Sequence, residues 1–199
     1  MIHDYHVTYF LISVPSVYCL PNEKIGMEVA FVGYSNSGKS SAINALTYQK
    51  KLTKVSKTPG CTQLINLFEV SPSIRLIDFP GYGYAKKTKK SKNYWHDVIC
   101  KYLKKRENLK GLILIMDIRH PIKYLDQKII ESALSVDVPI CTLLSKSDKI
   151  SKNILQVTSK KIIHDMQMMF EKNIQVEPFS VVKKYGIQSL KRVLNNWLR

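Results

Sequence analysis

The chain has 199 residues, 45% hydrophobic and 23% charged, ordinary proportions for a globular protein able to bury a substantial core. No apolar run approaches the roughly 18 residues needed to span a bilayer, and Cys19, Cys61, Cys100 and Cys141 are scattered without a C-x-x-C pair, which argues against a zinc site or a disulfide framework and for a reducing cytosol. The net charge of +16 is the departure: 15 of the 31 Lys and Arg fall between Lys50 and Lys110, against four acids, a concentration that points to nucleic acid or a polyanionic assembly containing it.

In chain order, MIHDYHVTYFLISV lacks the basic n-region and small-residue cleavage site of a secretory signal and reads as a first strand. EVAFV (Glu28 to Val32) is a short apolar run with β-branched and aromatic residues, hence a buried parallel strand. GYSNSGKS (Gly33 to Ser40) follows, and SAINALTY (Ser41 to Tyr48) has apolar residues at helical spacing. Strand, G-x-x-x-x-G-K-S, helix is the context a phosphate-binding P-loop requires. Its glycines let the backbone turn N–H groups inward, and the helix start adds positive potential. Lys39 is then placed to reach the outer phosphates and Ser40 to ligate Mg²⁺. Gly33, Tyr34, Ser35, Asn36, Ser37, Gly38 and Ser41 complete the candidate cradle.

Lys50 to Gln63 (KKLTKVSKTPGCTQ) has neither periodicity and reads as a long, functional loop. LINLFEV and IRLIDF flank Ser71-Pro72-Ser73, a hairpin signal. The second of these strands runs into Asp78-Phe79-Pro80-Gly81, a D-x-x-G in which Asp78 can hold Mg²⁺ through water and the Gly81 N–H can sense a γ-phosphate. A Lys-rich segment leads to a helix from about Asn93 to Glu107. Next come a strand over Leu112 to Asp117, a helix over Tyr124 to Val136 and a strand over Pro139 to Ser145. A helix over Asn153 to Phe170, a strand over Ile174 to Ser180 and a helix over Ile187 to Leu198 complete the chain. This alternation predicts an α/β fold: a three-layer P-loop NTPase sandwich whose mostly parallel sheet carries one antiparallel strand, with helices on both faces. The chain reads as one domain, with an N-terminal strand and connection over 1–27 and a nucleotide-binding core over 28–199.

A P-loop alone does not separate GTPases from ATPases or nucleotide kinases. Ser145-Lys146-Ser147-Asp148, at the end of a strand, discriminates better. A carboxylate there can accept hydrogen bonds from guanine N1–H and its N2 amino group, a donor pair that adenine lacks. The Lys146 stem would lie against the base. Backbone N–H groups of Phe179-Ser180-Val181, after the last strand, are within the expected reach of guanine O6.

GYSNSGKSSAINALT, SKTPGCTQLINLFEV, LIDFPGYGYAK, MDIRHPIK and LSKSDK together resemble the EngB (YihA/YsxC) family of Era-like GTPases, which assist assembly of the large ribosomal subunit in bacteria. TPG-x-TQ followed by PGYGYA is the specific part. The resemblance implies that Thr62 is the switch I threonine, joining Ser40 on Mg²⁺ and bonding the γ-phosphate, with Gly60, Cys61, Gln63 and Leu64 beside the nucleotide. Lys39, Thr62 and Gly81 would act by positioning and charge stabilisation, with no side-chain base. Cys61 stands where the family commonly has a basic residue, and Ser145 where Asn or Thr is usual.

Tyr82 occupies the position after D-x-x-G where many GTPases orient water with Gln, so slow intrinsic hydrolysis of GTP to GDP is expected. Asn36 is a candidate K⁺ ligand beside the phosphates, or an Asn that only hydrogen-bonds the loop. The basic segments Lys86, Lys87, Lys89, Lys90, Lys92 and Lys101, Lys104, Lys105, Arg106 are candidate contacts to rRNA. Tyr82, Tyr84, Tyr94 and Trp95 among them either stack on bases or pack beneath the switch. His3, His6, His96, His120 and His164 lack ligand spacing and are expected at the surface or as satisfied polar groups.

The implied protein is a monomeric switch of the bacterial cytoplasm, without stable membrane association. Its partner would be the large ribosomal subunit or its precursor, including ribosomal proteins, with an effect on cell division and septation through assembly. Two other readings stand beside it. One is a protein-interaction GTPase of cell division or membrane traffic; the other is an ATP-using kinase or ATPase, which requires Asp148 to be incidental.

Overall fold

Nearly continuous burial along Met27–Gly33 and Leu109–Asp117, with alternate residues turned to opposite sides, dictates the architecture. The computed structural model describes residues 2–21, 26–53, 64–83, 89–172 and 174–199, with side chains omitted for 89–93. Seven strands, β1 (Tyr9–Val14), β2 (Met27–Gly33), β3 (Ile65–Ser71), β4 (Ile74–Asp78), β5 (Leu109–Asp117), β6 (Ile140–Ser145) and β7 (Gln175–Pro178), form one sheet in the order β1-β3-β4-β2-β5-β6-β7. β4, β2, β5, β6 and β7 pair in parallel, while β3 runs against both of its neighbours.

On β2, Ala30 and Val32 face one layer and Val29 and Phe31 the other; on β5, Leu112 and Leu114 oppose Ile113 and Ile115. The first layer is closed by α2 (Lys89–Lys105), α3 (Tyr124–Leu134) and α4 (Lys152–Phe170), the second by α1 (Lys39–Thr47) and α5 (Ile187–Trp197). The two buried clusters are therefore separated by the sheet itself, as expected when both faces are covered.

Several boundaries differ from the sequence expectation, each for a physical reason. The N-terminal run is a strand only from Tyr9; before it, Asp4 caps a 3₁₀ turn over Tyr5–Val7 by accepting from the His6 N–H at 3.0 Å. Tyr5 is fully buried and donates its hydroxyl to Asn195 at 3.0 Å, and the buried His3 ring lies 2.8 Å from the Leu198 carbonyl. α2 begins four residues early because Lys is a good helix former. β5 runs through Gly111, which looked like a break. A Cβ at Gly111 would meet the Trp197 ring at 2.1 Å, so the missing side chain is room for α5.

Arg106 is a correction of function as well as place. It is half-buried, with Nη2 2.5 Å and Nε 2.8 Å from the carboxylate of Glu28, and it also donates to the Pro21 carbonyl. Glu28 is 1% exposed and also accepts from the Tyr102 hydroxyl. Arg106 is thus committed to pinning α2 against β2 and leaves the set of candidate rRNA contacts, while Lys101, Lys104 and Lys105 are exposed. Arg106→Ala strands a buried carboxylate and is expected to cost about 3–5 kcal/mol in urea unfolding. Lys104→Ala and Lys105→Ala should each stay within about 0.5 kcal/mol.

Candidate functional site

The loops after β2, β4, β5, β6 and β7 all leave the same edge of the sheet, the carboxyl ends of its parallel strands, with β2 placed centrally where the strand order reverses. The loop Gly33 to Gly38 leaves β2 and feeds straight into α1. A Cβ at Gly33 would lie 2.6 Å from the Ile115 carbonyl oxygen, so only glycine permits the chain to run so close to β5. Gly38 has φ +101° and Asn36 φ 64°, the left-handed conformations that turn a loop back on itself.

The first N–H groups of α1 have no intrahelical partner and carry the positive end of its dipole. Lys39 and Asp78, both buried, form a direct ion pair at the mouth of this loop. Ser40 and Ser41 are partly accessible on the first turn of α1, and Ser37 Oγ is buried without a hydrogen-bond partner.

From the other side the β6 loop grips the P-loop by its carbonyls. Ser145 Oγ donates to the Ser37 carbonyl, and Lys146 Nζ donates to the Asn36 carbonyl at 2.6 Å. Lys146, at φ 56°, also forms an ion pair with Asp117 at 3.0 Å. Asp117 was missed in the sequence, although it ends a strand as Asp78 does. Burial alone would raise its pKa, but hydrogen bonds from Arg119 and Lys146 outweigh that and hold the carboxyl well below the usual carboxylate range.

Asp148 is fixed by a 2.6 Å bond from Ser180 Oγ, and the Ser147 N–H donates to the Phe179 carbonyl, so the two base-side segments expected from the sequence come together. Lys146 spends its amine on the P-loop, which positions its stem at the same edge. Val181 is exposed beside them.

Gly81 packs on the P-loop: a Cβ there would fall 2.8 Å from Ser35 Cα. Phe79 is buried beneath, with its N–H on the Phe31 carbonyl, and Pro80 lies between at intermediate exposure. The Ser35 N–H donates to the Tyr82 carbonyl at 2.8 Å, which ties the loop after β4 to the loop after β2. Tyr82 and Trp95 are buried, so both pack beneath this segment, while Tyr94 is half exposed.

Residues 54–63 lie outside the described residues, and with them Gly60, Cys61, Thr62 and Gln63; Leu64 directly precedes β3. The sequence reading did not foresee how the start of that loop is anchored. Asn44 on α1 accepts from the Thr53 N–H at 2.8 Å, and Thr53 Oγ1 donates to the Ser40 carbonyl. Lys86, Lys87 and Tyr84 are likewise outside the described residues, and Lys89, Lys90 and Lys92 are placed in the opening of α2 by backbone only.

This donor set fits a Mg²⁺ ion. Ser40 and Asp78 offer a hydroxyl and a carboxylate, and no group of three His, Cys, Asp or Glu able to hold a metal occurs among the described residues. Mg²⁺ takes few protein oxygens and completes its shell with water and phosphate.

A P-loop, a D-x-x-G and a base-side aspartate arranged along one sheet edge define a P-loop GTPase. Residues 28–146 match the family model described as 50S ribosome-binding GTPase. The whole chain is 92% identical to the whole of the probable GTP-binding protein EngB of Blochmanniella pennsylvanica. It is 50% identical over 98% of its length to that of Photorhabdus laumondii, covering 92% of that protein. A crystal structure of a probable GTP-binding protein EngB, 24% identical, shares the fold with a TM-score of 0.69, covering 86% of this chain and 98% of that one. The chain belongs to the EngB family of GTP-binding proteins.

One buried pair also missed in the sequence ties α3 to this site. Tyr82 Oη donates to Asp126 at 2.6 Å, and Asp126 also accepts from the Lys123 N–H. Burial pushes the Asp126 carboxyl up to about 6, the two hydrogen bonds pulling against it. A carboxyl whose folded pKa lies above its unfolded value favours folding while protonated, and that contribution is lost as pH rises through the folded pKa. The stability of the wild type relative to Asp126→Asn should therefore fall by up to about 3 kcal/mol between pH 4 and 7, read from denaturant unfolding at each pH. A flat difference would rule the assignment out.

Proposed function

We propose that the chain is a Mg²⁺-dependent GTP switch that engages the large ribosomal subunit or its precursor and is reset by slow hydrolysis. The observation carrying the GTP reading is the clasp between the two halves of the site: Ser145 and Lys146 hold P-loop carbonyls while Asp148, anchored by Ser180, sits one turn away. In this reading the free N–H groups of Gly38 to Ser41 and the Lys39 amine hold the phosphates. Asp148 accepts from guanine N1–H and N2, with the 179–181 backbone at O6.

Ser40, Asp78 and Thr62 are the residues that would hold Mg²⁺, which when bound neutralises developing phosphate charge. Asn36, exposed on the loop, is the residue this reading assigns to K⁺. Slow intrinsic turnover has a structural rationale. The Tyr82 side chain is 2% exposed with its hydroxyl committed to Asp126, so it orients no water. Lys39, Gly81 and Thr62 act by positioning and charge, and a partner supplies the remainder.

The ribosomal reading rests on charge placement and on the family description. The first turn of α2 holds Lys89, Lys90 and Lys92 and no acid. Cations there oppose the helix dipole, a cost that a bound polyanion relieves. Lys101, Lys104 and Lys105 extend the same helix as exposed cations. Action in the bacterial cytoplasm as a monomer, with cell division affected through subunit assembly, belongs to this proposal; no helix among the described residues is long and apolar enough to cross a membrane. The protein-partner alternative has one observation in its favour: Tyr9, Phe10, Leu11 and Ile12 are exposed along edge strand β1.

Asp148→Asn should weaken GTP binding roughly a hundredfold or more through loss of two charge-assisted hydrogen bonds, with ATP competition unchanged. Equilibrium nucleotide titration checks this, and turnover in K⁺ against Na⁺ salts checks Asn36. Purified large subunits should co-sediment with the protein in a non-hydrolysable GTP analogue and release it in GDP. Equal binding in both states rejects the switch, and association that survives ribonuclease favours the protein partner.

A further inference from the structure

The seam between α2 and α3 holds a cluster that nucleotide chemistry does not use. Cys100 follows His96 by one helical turn, with Sγ 3.5 Å from Nε2, and the Nδ1 of the same ring lies 3.1 Å from Asp97 Oδ1. Carboxylate, imidazole and thiol thus stand in line along one helix. From α3 the Ser132 hydroxyl oxygen, buried and without a hydrogen-bond partner, lies near the thiol. Cys100 is partly exposed.

Burial works to raise the Cys100 pKa, yet the His96 ring beside the sulfur helps to outweigh it and the pKa falls below that of an ordinary thiol. His96 shifts the opposite way, raised first by Cys100 and further by Asp97. Both shifts move the pair toward its charged forms, and it is the thiolate in which sulfur is nucleophilic. The other described cysteines differ. Burial pushes Cys141 up to about 12, and Cys19 is exposed with the Ser16 hydroxyl 3.4 Å from its sulfur.

We propose that Cys100 is a redox-modification site at which the His96–Asp97 pair activates the thiol toward hydrogen peroxide. The sulfur attacks one peroxide oxygen, an S–O bond forms as the O–O bond breaks, and sulfur is oxidised to a sulfenic acid while peroxide is reduced. The departing hydroxide takes the proton held on His96 Nε2 and leaves as water.

The test exposes the full chain to hydrogen peroxide with a 1,3-diketone trap and follows each cysteine peptide by mass spectrometry. Cys100 should be trapped faster than Cys19 and Cys141, and His96→Gln should slow it roughly tenfold, through the smaller thiolate fraction. Thermal unfolding of His96→Gln checks that the fold is kept. If that variant unfolds, Asp97→Asn, at an exposed carboxylate, replaces it and should slow trapping a fewfold. Trapping of Cys19 at the rate of Cys100, or an unchanged Cys100 rate in the folded variant, overturns the proposal.

Discussion

Two side chains at the end of β6 hold the P-loop by its backbone oxygens, and the geometry of the whole site follows from that grip. In a trans peptide the C=O and N–H point to opposite sides. With the Ser37 carbonyl turned toward Ser145, the Gly38 N–H must face away from β6. Serine suffices at 145 because the loop lies directly against it, the hydroxyl reaching the Ser37 carbonyl without a longer side chain. The departure from the usual Asn or Thr is thus met by proximity rather than reach. Loop, base-side strand and β5 then form one unit through Lys146 and Asp117.

A second unit lies across the sheet. α3 touches both the P-loop and the segment after D-x-x-G, since the Leu125 N–H donates to the Tyr34 hydroxyl and Asp126 receives Tyr82. The two tyrosine rings meet edge to face at 4.8 Å, with the Lys123 amine 4.7 Å above the Tyr34 ring. Displacing the chain after Gly81 would disturb this stack and the Ser35–Tyr82 backbone bond together. Such shared packing is how a small change at a phosphate site becomes a movement of a helix.

Local pattern made much of this legible. The order of strands and helices, the P-loop, D-x-x-G and the 145–148 turn each have a signature confined to a few neighbouring residues, and the structure brings these segments to one sheet edge. What was not legible depends on partners far away in the chain. Arg106 looked like one more cation in KYLKKR, and only the fold sets Glu28 beside it, 78 residues earlier. Gly111 looked like a strand end until Trp197 claimed its space. Asp126 has no local mark of its role, because its meaning comes from Tyr82, 44 residues upstream.

The tie between the 3₁₀ turn at Tyr5 and helix α5 has a consequence for how the molecule comes into being. Its bonds join Tyr5 to Asn195 and His3 to Leu198, separations of 190 and 195 residues. Contacts so distant in sequence pay their loop-closure entropy before they return anything, and they form late. Tyr5 shares its buried cluster with Ile43 of α1 and Phe68 of β3, residues made early, but the acceptor for its hydroxyl, Asn195, is among the last. The closing turns of α5 therefore complete the seat of a side chain made at the start of synthesis.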